Sequence, residues 1–422
     1  MARRLTRRTL LKAGLTAGAA TILSRRASAQ SETTLKIVQW KHFVPDYDKK
    51  YFDTFTKDFG AKHNCKVEVD YVATADLPTA IAGDISRGGG HDIFHLNGVG
   101  AWLYDNALVD VTDVADRLAK EFGGFIPHSE SIGKVKDKWL AIPYWYISFP
   151  MIINRGYFNK VGAEYTDKTT WHDLLGAGTK LKAAGFPFGI PYSQTPDSND
   201  NLFPLMVAYG AYMFDKDGKI SFKRKEITES LQFGKELFDR TMTDEVLSWD
   251  DSSNNRFIIS GKGSMICNPI SAYRTAAKDN PDVYQNLEVV KTPVGPKGRV
   301  NGARTMSYGI YNFSKNQDLA RTFLYEMVAD SLKGMEGSTG YNHPFLKAFT
   351  KKPQPVLGNE PKLQLLQDYQ DDLVFIGYPG PMTKTATAMY AKFIIPTMFA
   401  EVAKGKPIRA AMDDAEKKLR AI

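Results

Sequence analysis

The feature that most constrains the fold is a regular alternation of strand and helix patterns near the start of the chain. Three apolar or alternating segments are separated by two segments with helical spacing: Leu35–Trp40, residues 47–62, Lys66–Val72, Leu77–Ser86 and His91–Leu96. Strands joined in order by helices predict an α/β fold with a parallel, doubly wound sheet. Ligands bind such sheets beyond the carboxyl ends of the strands, where Trp40 and Asn97 lie.

The middle of the chain continues in the same style. Ala141–Asn154 is a long aromatic and β-branched run, interrupted by two prolines and too long for one buried strand, so it could cross between domains. Other segments predict helices at Trp171–Ala184, Ile227–Arg240, Asp318–Ala329, Tyr390–Ala403 and Ile408–Leu419, and strands at Pro187–Gln194, Gly263–Asn268 and Ser307–Phe313. Pro196–Asn201, rich in Asn and Asp, is interpreted as a loop.

Charge does not support nucleic-acid binding. The chain has 55 basic and 47 acidic residues and a formal charge of +8. Seven cations and no acid fall within residues 1–29, so the rest is nearly neutral. Two cysteines, Cys65 and Cys267, are too few for a disulfide framework and are expected to be buried thiols. An aromatic content of 12% suits a ligand with apolar faces.

The first 29 residues predict an export signal. Arg7 and Arg8 precede Leu10-Leu11-Lys12, a mildly apolar stretch follows, and Ala27-Ser28-Ala29 forms an A-x-A cleavage site. The paired arginines resemble a twin-arginine signal. The apolar stretch is shorter than the roughly 20 residues of a membrane span. The mature protein is therefore expected in the periplasm, either soluble or tethered only by an uncleaved signal.

Five motifs in register resemble the extracellular solute-binding proteins of carbohydrate-type ABC importers, including maltodextrin-binding proteins. The motifs are His91–Phe94, Ile142–Tyr144 followed by Met151–Phe158, Thr169–Leu174, Arg256–Met265, and Tyr308–Leu324. Two departures are His91, where the family has proline, and Arg155-Gly156, where it has Lys-Asp.

The resemblance implies a two-lobed periplasmic-binding-protein fold, each lobe a doubly wound sheet flanked by helices, that closes over a ligand. The N-terminal lobe is expected at 30–148 and 303–341, and the C-terminal lobe at 149–302 and 342–422. The implied crossings lie near Ile147–Met151, Asn301–Thr305 and Gly340–Asn342. The implied function is a non-catalytic, monomeric receptor that delivers a sugar or polyol to permease subunits, without a cofactor or nucleic acid. A sugar acid, phosphorylated polyol or osmolyte is the alternative, followed by a secreted carbohydrate-active enzyme.

Aromatic residues at loop ends and crossings are the first candidate ligand group. Flat rings bury the C–H faces of a sugar and leave its hydroxyl edges free. Packing in a core is the competing interpretation for each ring. The aromatic candidates, with His42 from the same loop, are Trp40, His42, Tyr144, Trp145, Trp249, Tyr308 and Tyr341.

Polar residues form the second group. Carboxylates and amides provide the donors and acceptors that vicinal hydroxyls need, although Asp, Asn and Ser also cap helices. Within the runs Trp249–Asn255 and Asp197–Asn201, Asp250 and Asp200 are favoured over their neighbours, and Asn199 is included. Asn97, Asn268 and Asn342 complete the neutral polar candidates.

Arg274 and Arg304 are candidates for binding an anionic group, or a neutral sugar hydroxyl. Enzyme motifs are not found: Gly261-Lys262 lacks the remaining P-loop residues, and neither G-x-S-x-G nor H-E-x-x-H occurs. His91 and His95 are four residues apart, but a predicted strand places them poorly for a metal, so no metal site is expected.

Overall fold

A computed structural model describes residues 33–350 and 354–422, so the export signal lies outside the described residues. The strands are β1 Thr33–Trp40, β2 Cys65–Val72, β3 Ile93–Asn97, β4 Lys134–Val135, β5 Lys138–Trp139, β6 Ile142–Ser148, β7 Met151–Asn154, β8 Phe188–Gly189, β9 Met265–Cys267, β10 Leu287–Val290, β11 Val294–Gly295, β12 Gly298–Arg299, β13 Asn301–Ile310, β14 Asn342–Pro344 and β15 Leu373–Val374.

The α-helices are α1 Asp53–His63, α2 Leu77–Arg87, α3 Thr112–Phe122, α4 Glu130–Gly133, α5 Arg155–Lys160, α6 Trp171–Ala183, α7 Pro196–Ala208, α8 Arg224–Thr241, α9 Ser253–Ile259, α10 Ser271–Asp279, α11 Pro281–Tyr284, α12 Gln317–Ala329, α13 Ser331–Gly337, α14 Lys347–Thr350, α15 Pro355–Gly358, α16 Lys384–Ala391, α17 Ile394–Ala403 and α18 Ile408–Arg420. A π-helical turn spans Tyr47–Phe52, and 3₁₀ segments span Ala101–Tyr104, Asp244–Leu247 and Pro361–Asp372.

Two separate sheets confirm the α/β class. The larger has the order β14-β6-β13-β3-β1-β2, with β15 paired to β13, and the smaller has the order β10-β7-β9-β8. In the larger sheet β2, β1 and β3 form the predicted parallel arrangement, whereas β13 pairs antiparallel with β3 and β6, and β14 antiparallel with β6. The short strand β15 pairs parallel with β13. We call the larger sheet with its helices the first lobe, and the smaller sheet with its helices the second lobe.

The run Ala141–Asn154 crosses between the lobes. Its first part, β6, belongs to the larger sheet, and its second part, β7, belongs to the smaller one. Phe149 and Pro150 make the connection. The chain returns to the first lobe at β13, and it adds β14 to the larger sheet before passing back towards the second lobe. After Pro344 the segment Pro361–Asp372 contacts β10 of the smaller sheet, and the chain then returns to pair β15 with β13, so the last passage follows Val374.

The interpretation of Pro196–Asn201 as a loop is wrong, because these residues form the first turns of α7. Thr195 caps the helix, its side chain accepting a hydrogen bond from the Ser198 backbone N–H, and Pro196 occupies the first helical position. A polar composition suited to loops is therefore used here to begin a helix. The predicted strand at Pro187–Gln194 is also shorter than expected, since only Phe188–Gly189 pairs.

Most other elements lie within a few residues of their predicted bounds, because their apolar spacing matches a buried face. Along β1, Leu35, Ile37 and Val38 are fully buried. The predicted helix Tyr390–Ala403 is two helices, α16 and α17, separated by Phe393, whose φ of 51° ends the first. In the second lobe, α7, α8, α17 and α18 pack together. Cys65 and Cys267 are both buried.

Candidate functional site

A cavity of about 160 Å³ lies between the two lobes. We call it the central cavity. The first lobe contributes Phe43 and Arg304, together with Tyr341 directly before β14. The second lobe contributes Asp197, Asp251, Ser252, Asn255, Asn268, Pro269, Ser271 and Thr275.

Helix starts of the second lobe place its polar groups at the central cavity. Asp197 lies in the first turn of α7, Asp251 and Ser252 directly precede α9, and Ser271 begins α10. Backbone N–H groups at a helix start favour nearby negative charge. Asn268 directly follows β9 and so occupies the position beyond a strand end that the sequence predicted.

Arg304 connects the lobes through a buried ion pair. Its position on β13 is opposite Ile147 of β6, in the larger sheet. The Arg304 Nε donates to Asp200 Oδ2 at 2.9 Å, and its Nη2 donates to Asp197 Oδ1 at 2.8 Å. Both carboxylates belong to α7 of the second lobe. The guanidinium also lies 5.4 Å from the centre of the Phe149 ring, at the first crossing.

The buried ion pair of Arg304 contains more carboxyl groups than cations. Asp197 and Asp200 are each at most 6% exposed. Desolvation, reinforced by the charge of Asp251, raises the pKa of Asp197 to about 8 despite the nearby Arg304. Burial likewise raises the pKa of Asp200. Arg304 binds both carboxyl groups, and Asp251 lies close enough for its charge to reinforce both shifts.

Amide side chains beside the ion pair are already linked to one another. Asn254 Nδ2 donates to Asp197 Oδ2 at 2.8 Å and to Asn268 Oδ1 at 2.7 Å. Asn268 Nδ2 donates to Asn255 Oδ1 at 2.6 Å. In contrast, Asp251 Oδ1 is buried and has no hydrogen-bond partner among the described residues. An unsatisfied buried carboxylate oxygen is costly, and it could accept a hydrogen bond from a ligand hydroxyl.

The first lobe provides an aromatic wall. Phe43 is 53% exposed, whereas Trp40 beneath it is 2% exposed. The two rings meet edge to face with their centres 5.3 Å apart. Trp145 lies 6.1 Å from Trp40, and both rings contact the His42 imidazole. Phe43 is the most exposed large apolar side chain among the described residues, and it lines the central cavity.

His42 holds this wall against Tyr341 and Asn342. The His42 Nδ1 accepts the Val44 backbone N–H at 2.8 Å, so Nε2 donates to Asn342 Oδ1 at 2.9 Å. The Tyr341 ring centre lies 5.2 Å from the imidazole. Burial lowers the pKa of His42 to about 4, so the ring is neutral at pH 7. His42 therefore positions the aromatic wall as an uncharged group.

Several predicted site residues come together here. Asn268, Arg304 and Tyr341 line the central cavity, and Asp200 binds Arg304 directly behind it. Four others form the layer behind Phe43 and Tyr341, namely Trp40, His42, Trp145 and Asn342. The structure thus brings these residues together from distant parts of the chain. Ligand contact by them stays a prediction.

Other predicted residues lie elsewhere in the structure. The side chain of Trp249 packs on Phe257 and sits against Gly189, in the core of the second lobe. Asp250 is exposed, pairs with Arg256, and accepts hydrogen bonds from Ser252 and Ser253 at the start of α9. Trp249 packs in a core and Asp250 is held by its ion pair, so neither side chain lines the central cavity, and ligand contact by them stays a prediction.

Arg274 and the two tyrosines likewise lie outside the cavity lining and have partners within the protein. Arg274 pairs with Glu360 and donates to the Thr339 carbonyl at 3.0 Å. Tyr308 is fully buried, and its hydroxyl donates to Gln39 Oε1 at 2.6 Å. Tyr144, also fully buried, meets other tyrosine hydroxyls 3.3 Å away. All three are occupied by contacts within the protein.

Asn97 and Asn199 lie outside the cavity lining as well. Asn199 is fully buried and donates to the Tyr390 carbonyl at 3.0 Å. Asn97 ends β3, and its Nδ2 is buried with no hydrogen-bond partner in the described part of the chain. The sequence predicted that Asn97 lies at a strand end, but it did not predict the direction of either side chain.

Cavity residues that were not singled out from the sequence include the exposed Phe43 and, within the two polar runs, Asp197 and Asp251. Asp197 and Asp251, not Asp250, reach the central cavity. Which side chain of a run faces the cavity depends on its position in the first turn of the helix. For α7 that position follows from the sequence only once Pro196 is recognised as the first helical residue. Ser271 and Thr275 follow Asn268 closely in sequence, which was the available signal for them.

A second, larger cavity of about 820 Å³ lies near the central one. We call it the aromatic groove. Its aromatic and proline lining is Trp102, Phe125, Pro127, Trp139, Pro379 and Pro381, and its cationic rim is Lys134, Lys136, Lys216 and Lys347. Within residues 33–350 and 354–422, no three His, Cys, Asp or Glu side chains are grouped so that they could hold a metal ion.

Comparison with known proteins agrees with this architecture. Residues 45–330 match the sequence model of the family described as bacterial extracellular solute-binding proteins. No curated protein matches the chain in sequence. Over the described residues, no helix has the length and apolar character needed to cross a membrane.

Solved structures share the fold at low sequence identity. The maltose-bound MalE3 of T. maritima has a TM-score of 0.76 at 17% identity, over 92% of this chain and 99% of that one. A solute-binding protein from Agrobacterium radiobacter K84 in complex with ribitol gives 0.74 at 18%, covering 92% and 98%. One from Agrobacterium vitis S4 with bound D-mannitol gives 0.70 at 17%, covering 92% and 98%. The two-lobed periplasmic-binding-protein fold is thereby confirmed.

Proposed function

The chain belongs to the family of bacterial extracellular solute-binding proteins, and on that premise we propose that it binds a neutral sugar or polyol in the central cavity and delivers it to the permease subunits of an ABC importer. The protein acts as a receptor and performs no chemistry on its ligand. Ligands reported for proteins of the same fold, which include maltose, D-mannitol and ribitol, support this solute class.

The observation that most supports this proposal is the composition of the central cavity. One side presents the exposed ring of Phe43 with Tyr341, and the other presents Asp251, Asn268 and hydroxyl side chains. A sugar or polyol has apolar C–H faces and hydroxyl edges, so it can use both sides at once. The unpartnered Oδ1 of Asp251 supplies an acceptor for a hydroxyl donor.

Charge favours a neutral ligand over a sugar acid or a phosphorylated polyol. Arg304 is the cation that lines the central cavity, and Asp197 and Asp200 already occupy its donors. An anion would have to displace one of these carboxyl groups from Arg304, and it would then lie beside Asp251 as well. A neutral or cationic osmolyte meets no such repulsion and remains the second candidate.

Closure of the lobes follows from the position of the ligand groups. We assign residues 30–148 and 303–344 to the first lobe, which includes β14 because that strand pairs with β6. Residues 149–302 and 345–422 are assigned to the second lobe, apart from β15, which pairs with β13. A ligand held by groups from both lobes favours the closed population. Small-angle scattering should then give a smaller radius of gyration with ligand, and an unchanged radius with a saturating ligand would contradict closure.

The family is extracellular, and the paired Arg7 and Arg8 of the predicted signal support periplasmic delivery by the twin-arginine route. The protein then works as a monomer that meets its permease after ligand binding.

A thermal-shift screen tests the proposed function. The panel contains neutral sugars, polyols, the matching sugar acids, phosphate esters and quaternary ammonium osmolytes, since a ligand that binds only the native state raises the melting temperature. We expect shifts with a neutral sugar or polyol that weaken in Asp251→Asn. Asp250→Asn is the matched control, because Asp250 is the adjacent carboxylate but is exposed and paired with Arg256. Shifts confined to charged solutes would refute the proposal.

A further inference from the structure

The central cavity and the aromatic groove are separate chambers, although both lie where the first lobe meets later segments of the chain. Their linings have no residue in common among the described residues. The central cavity, at about 160 Å³, has about half the volume of the smallest pockets that usually hold drug-sized ligands. The groove, at about 820 Å³, has room for a much longer molecule.

Two segments of the chain separate these chambers. The loop after β3 runs from Gly98, next to Arg304 of the central cavity, to Trp102 in the aromatic groove. A segment of the C-terminal region runs from Pro379 and Pro381 in the groove to Tyr390 beside the ion pair. Each segment thus reaches from one chamber to the other.

The two segments contact each other closely. A Cβ atom built on Gly98 would lie 3.5 Å from Arg304 Cγ and 3.6 Å from the Tyr390 hydroxyl. A Cβ on Gly100 would lie only 2.8 Å from Met382 Cβ, so a glycine is required for this approach. The Tyr390 hydroxyl is 3.3 Å from Asp200 Oδ2, and the Met382 backbone N–H donates to the Ser131 carbonyl at 3.1 Å. The segments therefore form a continuous wall.

We propose that this wall, formed by Gly98, Gly100, Met382 and Tyr390, limits the ligand to one sugar ring or one acyclic polyol. The inference rests on the proposed function and names the solute class within it. Met382 is 1% exposed and Tyr390 8% exposed, so both side chains are packed against their neighbours along these two segments. A second sugar unit attached to a ligand in the central cavity would have to pass through them to reach the groove.

The aromatic groove explains why removing the wall should change selectivity. Trp102, Phe125 and Trp139 offer flat apolar surfaces of the kind that sugar rings stack on. With the wall in place, a ligand bound beside Arg304 cannot use them. A shorter side chain at position 382 would open a passage between two chambers that can both hold sugar units.

Calorimetric titration of the full-length mature protein with two length series tests the inference. The series are D-glucose, maltose and maltotriose, and xylitol, sorbitol and maltitol. We expect the wild type to bind a single-ring sugar or acyclic polyol at least about 100-fold more tightly than its glycosylated partner. A second sugar unit would clash with the wall between the chambers, and this clash costs more binding free energy than one extra methylene in a pocket. Met382→Ala should reduce that preference by at least about tenfold.

A matched variant distinguishes an effect of the wall between the chambers from a general loss of stability. Met412→Ala also truncates a buried methionine, but on α18 and away from both chambers, so it should leave the length preference unchanged. The inference is overturned if the wild type binds maltose or maltitol as tightly as the shorter member, which needs no variant to fold. It is also overturned if Met382→Ala keeps the wild-type preference. No binding of any neutral solute by the wild type would instead refute the proposed function, and the inference with it.

Discussion

Replacing Arg304 with methionine should destabilise the protein strongly, because it removes the only cation from a buried, interlobe cluster of carboxyls in the described structure. The side chains of Arg304, Asp197 and Asp200 are exposed by 5%, 8% and 3% in their pairs. Breaking a buried pair by removing one partner typically costs about 3–5 kcal/mol, since the remaining charges are left in a dry environment. Arg304→Met leaves the carboxyl groups of Asp197 and Asp200 buried without their cation.

The matched control is Arg256→Met. Arg256 pairs with Asp250, but these side chains are 62% and 65% exposed, and water screens the interaction. Exposed pairs contribute about 0–1 kcal/mol. The two substitutions remove the same chemical group, so the difference between them isolates burial between the lobes.

Urea unfolding at pH 7 and pH 5 measures the effect. We expect a loss of about 3 kcal/mol or more for Arg304→Met at pH 7. The loss should be smaller at pH 5, because burial raises the pKa of Asp200 and its carboxylate takes up a proton more readily there. Small-angle scattering of the same variant should give a larger radius of gyration, because lobe opening hydrates the unpaired carboxylates. A loss at pH 7 no greater than that of Arg256→Met, with an unchanged radius, would refute the reasoning.

Further predictions concern the aromatic wall, pH and export. Phe43→Ala should weaken ligand binding by about 2 kcal/mol or more with little effect on the stability of the unliganded protein, whereas Trp249→Ala should cost about 3–5 kcal/mol of stability and little affinity; calorimetry and apo melting distinguish them. Because burial raises the pKa of Asp197 to about 8 from an unfolded value near 4, the native state binds the extra proton below pH 8. Stability should therefore fall as pH rises from 6.5 to 8, by no more than about 2 kcal/mol, and Asp197→Asn should flatten this slope in unfolding measurements; an unchanged slope would contradict the assignment. Changing Arg7 and Arg8 to Lys should trap precursor in the cytoplasm, which cell fractionation would detect, and normal export would exclude the twin-arginine route.

Periodicity predicted much of the fold because each apolar spacing in this chain corresponds to one buried face. Residues Lys66–Val72 and Leu77–Ser86 were predicted nearly as they occur, at Cys65–Val72 and Leu77–Arg87. The antiparallel pairing of β13 with β3 and β6 was not predictable, since it depends on strands more than 150 residues apart. Sequence spacing does not encode such long-range register.

The candidate site was predicted less well, and for a definite reason. Loop and strand ends identify where a side chain stands, but not the direction in which it points. Trp40 and Trp145 do lie beside the central cavity, while Trp249, also a tryptophan beside polar residues, turns into the core against Phe257. In the same way, Asp250 pairs with Arg256 at the surface while the adjacent Asp251 lines the cavity, because neighbouring residues before α9 point in different directions.

A crystal structure of the protein with the neutral solute that gives the largest thermal shift tests the central claim most directly. We predict one ligand molecule between the lobes, with an apolar face against Phe43 and a hydroxyl donating to Asp251 Oδ1. We also predict that the Arg304 ion pair to Asp197 and Asp200 is retained. A ligand bound instead in the aromatic groove, or against Trp249 in the second lobe, would contradict this prediction.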